Sequence, residues 1–163
     1  MTDPSIAVLL HNLEQAFDRR SWHGTNLWGS LRGLTAEEAA WRPHPGRHNV
    51  WELLVHAAYW KYRVCRLLTD RGPRAFELPG SDFFPRPGPD ETQSWDSDLA
   101  LLKSWHERLL EAVRAFAPAR LEEPVGSNGY TYQGLILGAA SHDVYHAGQI
   151  QLLKRLREET DAR

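Results

Sequence analysis

Ser141-His142-Asp143-Val144-Tyr145-His146-Ala147-Gly148-Gln149 lies within a long segment whose apolar residues recur at helical spacing. Leu135, Ala139, His142, His146, Gln149, Leu153 and Leu156 form one stripe, which predicts a helix from near Thr131 to about Glu158. Residues four apart on a helix share a face, with Cβ atoms about 5–6 Å apart. Two imidazoles there can converge on one divalent ion at about 2.0–2.1 Å. The spacing alone is weak evidence. With eight His in 163 residues, chance supplies about 0.4 such pairs per chain. His44 and His48 share the spacing, yet Pro43 and Pro45 exclude an ordinary helix there. A third ligand on another core-facing stripe decides the matter.

Three further stripes give the fold class. Asp3 is a good N-cap with Pro4 at the first helical position, and Ile6, Leu9, Leu10, Leu13 and Phe17 follow before an end near Arg20. A second helix starts at Asn49, with Glu52 completing a capping box. It carries Leu53, Ala57, Trp60, Val64, Leu67 and Leu68 and stops before Arg71-Gly72-Pro73. After Ser94, the third runs through Trp95, Leu99, Leu102, His106, Leu109, Val113 and Phe116 until Pro118. Between them, residues 21–48 read as short helical pieces, with Thr35 and Glu38 forming another capping box. Residues 71–93, with five prolines and three glycines, read as a crossover without regular structure, and residues 118–130 as a turn-rich link holding Pro124, Gly126, Asn128 and Gly129. No strand-period alternation and no internal repeat occurs. The expectation is an all-α four-helix bundle with long inter-helix connections, one domain over residues 1–163.

Composition bounds the function. A net charge of −2 without a basic patch excludes nucleic acid as an implied partner. No apolar run reaches the ~18–20 residues that span a bilayer, so no membrane role is expected. The N-terminus lacks a signal-peptide pattern, and the single Cys65 suits a reducing compartment. A soluble, cytoplasmic protein is predicted. Seven Trp supply large apolar surfaces, most of them for core packing.

His56 lies on or beside the second helix's stripe, between Leu53 and Trp60. Buried imidazoles need partners, because an unsatisfied polar group in an apolar core costs about 1–3 kcal/mol. A metal would satisfy His56, His142 and His146 at once. His106 has no such pairing and reads as structural. His11, His23, His44 and His48 read as surface, loop or rim residues, with His23 and His48 best placed to approach the site. Glu52, one turn before His56, is a candidate fourth ligand or general base beside its capping role. Asp143 is rotated about 100° from His142 and suits a solvated or inter-helix salt-bridge role. Gln149 could orient a ligand, and Tyr145 could line the pocket. Cys65 stands about 13 Å beyond His56 along the helix, too far to coordinate beside it.

These residues resemble the DinB/YfiT-like metalloenzyme family over most of the chain. Trp41-Arg42-Pro43, the turn at Gly46 and Val50-Trp51-Glu52-Leu53-Leu54-Val55-His56 look like the family's entry into its second helix and first metal histidine. His142 to Ile150 looks like its C-terminal histidine pair followed by Gly-Gln-Ile. Many members carry Trp where this chain has His48, a departure at the pocket rim. The resemblance implies a mirror variant of up-and-down topology, frequently a homodimer, with a divalent metal (Zn, Ni, Fe or similar) on His56, His142 and His146. Some relatives use that metal to activate low-molecular-weight thiols such as bacillithiol or mycothiol.

Three neutral imidazoles leave coordination positions open, which marks a catalytic type of site. The leading expectation is a metal-dependent transferase that activates a low-molecular-weight thiol toward a small electrophile, with Trp60 or Tyr145 shaping the pocket. The alternatives are a metal-dependent hydrolase using Glu52 or His48 as base, and a non-catalytic metal-binding or dimerising module.

Overall fold

The computed structural model describes residues 2–69, 75–87, 94–127 and 129–162. The expected helix stop at Arg71-Gly72-Pro73, the stretch 88–93 of the crossover and Asn128 lie outside the described residues. Among these residues six α-helices follow in order: α1 Pro4–Phe17, α2 Leu27–Leu31, α3 Ala36–Ala40, α4 Val50–Leu68, α5 Trp95–Ala115 and α6 Tyr132–Asp161. A 3-10 turn occupies Pro118–Arg120, and no strand forms among the described residues beyond an isolated bridge between Pro124 and Thr131. None of the described helices is long and apolar enough to cross a membrane.

The helix starts are written locally. The Asp3 side chain accepts from Ser5 N, Asn49 from Glu52 N and Thr131 from Gly134 N. The Thr35–Glu38 box is closed in both directions. The expected box at Asn49 is only half formed. Glu52 does not return to the cap backbone, because its carboxylate is taken by Arg42, His48 and Arg86 N. At the other ends, α1 stops at Phe17, three residues short of the expected Arg20, and α6 continues to Asp161.

The long helices pack around one core: α4 against α5 and α6, and α1 against the same two. The short α2 leans on α6, and α3 on α4. Segment 75–87 folds back over α4, so that Phe76 and Phe84 join Tyr59, Tyr62 and Trp105 in a contiguous aromatic cluster. Trp51, Trp95 and Trp105 are buried, each with its indole N–H satisfied, by Asp98, the Leu34 carbonyl and Glu77 respectively. Trp22, by contrast, is 99% exposed.

Two stripes differ from the sequence reading. On α6 the buried positions are Ile136, Ala140, Asp143, His146, Ala147 and Ile150. The expected line through Leu135, Ala139, His142 and Gln149 is the half-buried flank one position away. An aspartate at the centre of the true stripe hid it. Of the two roles expected for Asp143, the inter-helix salt bridge is the one found: its Oδ2 accepts from Lys61 of α4, both side chains almost wholly buried. Burial pushes the Asp143 carboxyl up and Lys61 opposes that shift. On α4, which is enclosed on nearly every side, Lys61 and Tyr62 are inside, while Trp60 and Leu67 are partly exposed.

His106 is structural, as expected. It stacks on Phe17 with ring centroids 3.7 Å apart, and its Nδ1 is buried without a partner. Burial first, then the nearby Lys61 and Arg114, push its pKa down to about 2.

Two outcomes follow from these buried charges. Lys61→Met strands the Asp143 carboxylate and is expected to cost about 3–5 kcal/mol in urea denaturation, with most of it recovered in Lys61→Met/Asp143→Leu. His106 binds its proton more weakly folded than unfolded, so the unfolded chain gains protons first as pH falls. Below pH ~6.5 the chelator-treated wild type should therefore lose stability relative to His106→Phe by about 1.4 kcal/mol per pH unit. Parallel stability curves for the two from neutral pH to pH ~4.5 would refute it.

Candidate metal centre

His56 reaches the site from the second turn of α4, and His142 and His146 from one face of α6. Because α4 packs against α6, the three rings meet although about 86 residues of chain separate them. His56 Nε2 lies 3.2 Å from His142 Nε2, and His146 Nε2 lies 3.0 Å from the same atom. Among the described residues this is the group of side chains that could hold a metal ion.

The outer nitrogens settle the tautomers. His56 Nδ1 faces two acceptors, the Asp82 carbonyl at 3.0 Å and its Oδ1 at 3.2 Å, so it carries the proton. His146 Nδ1 lies 2.7 Å from Gln149 Oε1, while the Gln149 amide N–H donates to the Tyr145 hydroxyl at 3.1 Å. With Gln149 in this orientation, His146 Nδ1 is the protonated nitrogen too. Both Nε2 atoms therefore point lone pairs inward at His142 Nε2, which can donate at most one proton. At least one of the two close N···N contacts has no hydrogen in it. A shared cation would remove that repulsion, and the three ligand atoms, all within 4.8 Å of one another, are grouped closely enough to turn toward one ion.

Electrostatics keep the donors available. Burial first, then His146, His56 and Lys61, push the His142 pKa down to about 3. Burial first, with a further push from His56, takes His146 to about 4. His56 is lowered as well, again by burial, against the opposing pull of Asp82. All three rings are neutral near pH 7, as a ligand must be.

The cluster forms the floor of an open hollow of about 560 Å³. His48, Tyr145 and Gln149 stand on its wall with Pro43, Leu53 and Phe83. Phe83 is sandwiched between two imidazoles, its ring 3.7 Å from His48 and 4.0 Å from His56. Trp60 lies on the far side of His142, lining a separate hollow of about 220 Å³, and its indole N–H donates to Asp82 Oδ1 at 2.9 Å. His23 is not brought to the cluster. It borders another depression with Asn12, Leu137 and Ser141, on a different face of α6. Cys65 is buried and donates to the Arg108 carbonyl, away from the histidines.

Glu52 does not line the hollow either. Its Oε1 accepts from Arg42 Nη2 at 2.5 Å and Arg86 N at 3.3 Å, and its Oε2 accepts from Arg42 Nη1 and His48 Nδ1 at 2.9 Å each. Burial raises this carboxyl, and the donors more than reverse the shift, holding it below the ordinary carboxylate value. Glu52 fastens the segment 42–48 and the crossover to the start of α4.

Sequence reasoning did not find Asp82 and Phe83. Asp82 adopts φ 66, a left-handed conformation that Asp tolerates better than most side chains. That turn, following Gly80 at φ 118, aims both its carbonyl and its carboxylate at α4. The signal available was Pro79-Gly80 followed by an acid and two aromatics in an otherwise polar crossover.

Comparison with known proteins agrees with this architecture. The family described as the DinB superfamily matches residues 19–150. A crystal structure of a conserved protein from Enterococcus faecalis superposes with a TM-score of 0.60 at 20% identity, over 92% of this chain and 95% of that one. That likeness speaks for the fold. No curated protein matches the chain.

Because Glu52 holds three charged or polar partners, Glu52→Gln is expected to destabilise the chain by about 2–3 kcal/mol in urea denaturation. A loss below about 0.5 kcal/mol would show that the carboxylate is not a structural tie.

Proposed function

The chain belongs to the DinB superfamily, and we propose that it is a divalent-metal-dependent transferase that activates a small thiol toward a small electrophile. One observation carries the reading: His56 and His146, with protonated Nδ1 atoms, aim Nε2 lone pairs at His142 Nε2 on the floor of an open hollow. In this proposal His56, His142 and His146 hold the ion. Zinc, nickel and iron(II) all accept imidazole donors of this kind. A divalent ion so held supplies Lewis acidity, which favours the ionised form of a thiol or water at neutral pH.

The protein's own residues supply orientation and shape. Asp82 and Gln149 lock the two rings by their outer nitrogens, a type of support whose loss typically weakens metal affinity about 10–100-fold. Phe83 clamps His56 from one face. Tyr145 reaches the cluster through Gln149. The hollow, at about 560 Å³, is within the ordinary range for small-molecule sites. Three protein donors leave room for an exogenous ligand on the open side, as catalytic sites do. Glu52, its oxygens engaged by Arg42, His48 and Arg86, is not assigned the role of base.

Elemental analysis of protein purified without chelator should find about one divalent metal per chain, and far less in His56→Ala. With the metal restored, wild type should join a thiol to an electrophile such as 1-chloro-2,4-dinitrobenzene, and folded His56→Ala should not. Substrate turnover without thiol would establish the hydrolase instead. Bound metal without either activity would establish a non-catalytic binding module. Metal-free wild type after metal supplementation would overturn the whole reading.

A further inference from the structure

The hollow above the histidines is built asymmetrically in charge. Among the described residues on its wall, Arg47 is the one that carries a formal charge at neutral pH, and no Asp or Glu lines it. The rest is apolar apart from the histidines, Tyr145 and Gln149: Pro43, Leu53, Phe83 and a leucine edge of α6 at Leu152, Leu153 and Leu156. Leu152 is 58% exposed on that edge, an apolar surface turned to the opening.

Arg47 differs from the other arginines around it. Arg42 is spent on Glu52, Arg86 on Asp98 and Arg157 on Glu38. Arg47 forms no ion pair with any described residue, and its side chain is exposed. Its backbone is nonetheless held firmly. Arg42 Nη1 donates to the Arg47 carbonyl at 2.7 Å, and Arg47 N donates to the His44 carbonyl at 2.9 Å. Gly46 N donates to His44 Nδ1 at 3.2 Å, closing the turn. Through Arg42 and Glu52 the turn is tied to α4, the helix that carries His56. An unpaired guanidinium on an anchored turn is a prepared donor to a carboxylate, which it can grip with two parallel N–H groups.

We propose that Arg47 is the carboxylate anchor of this site, and that the thiol bound there carries an apolar chain ending in a carboxylate. The sulfur sits at the histidine floor, the chain covers the leucine edge, and the carboxylate pairs with Arg47. The thiol proton passes to buffer on binding. An amine-tailed thiol is rejected, because the wall offers it no acidic partner and opposes it with Arg47. This assignment rests on the thiol reading above and goes beyond it by naming the thiol's class.

Isothermal titration of the zinc-loaded protein tests it, using mercaptopropionate and mercaptohexanoate against the alcohols and amines of matching length. The better-fitting acid should bind at least about tenfold more tightly than its alcohol, as a charge-assisted hydrogen-bonded pair provides. The amine should bind most weakly. Arg47→Gln should abolish the preference for the acid while leaving the alcohol's affinity and the zinc content unchanged. Arg47→Lys should keep part of it, since the charge remains and the fork is lost. Equal affinity for acid and alcohol in wild type, or equal weakening of both by Arg47→Gln, overturns the anchor and leaves the thiol reading standing. Zinc-loaded protein that binds none of these thiols overturns both.

Discussion

The buried pair between Lys61 and Asp143 sets the register of α4 against α6, and the site depends on that register. A purely apolar seam between two helices tolerates sliding by a turn, because one leucine replaces another at little cost. A pair of charges almost wholly buried does not, since displacement leaves both ions unpaired in a medium that penalises each by several kcal/mol. Lys61 stands five residues beyond His56, and Asp143 is next to His142. One inter-helix contact thus places the α4 ring opposite the two α6 rings. Leu and Met at these positions could match the stability of the pair, which is why its value lies in specifying position.

Register brings the rings together, and their outer hydrogen bonds make them donors. A histidine can present either nitrogen, and only its environment decides which one is protonated. Asp82 and Gln149 supply acceptors to Nδ1 of His56 and His146, so the inward nitrogens are lone pairs. Burial then keeps the rings neutral by making the imidazolium costly. The outcome is a cluster whose own hydrogens cannot satisfy it. Such an arrangement is poor as a core polar network and good as a ligand set.

The elements that repeat locally were legible in the sequence, and those made by distant chain were not. Caps at Asp3, Thr35 and Thr131 are settled within four residues, so the helix starts could be read directly. His56 and the His142–His146 pair stood out because three imidazoles at helical spacing need a shared explanation. The α6 stripe was misphased by one position because Asp143, read as a solvated or salt-bridging residue beside the stripe, takes its central place only once Lys61, 82 residues away in sequence, faces it. Glu52 reads as a cap partner until Arg42 and the crossover arrive to take its oxygens. Asp82 and Phe83 belong to a Pro/Gly-rich segment with no periodicity, and their roles exist only once that segment lies across α4.

Charge bookkeeping links the core to the site. A divalent ion beside His142 would also stand near the Lys61 ammonium, a repulsion already visible in the downward push that Lys61 exerts on the His142 imidazolium. Lys61 opposes protonation of His142 even while paired, and unpaired it would oppose a cation there more strongly. Asp143 offsets part of that field at contact distance, because the field of a pair fades faster with distance than that of a single charge. The same carboxylate that hides the α6 stripe from a hydrophobic reading therefore does two jobs: it fixes where the three rings meet, and it makes the ground beneath them tolerant of a cation.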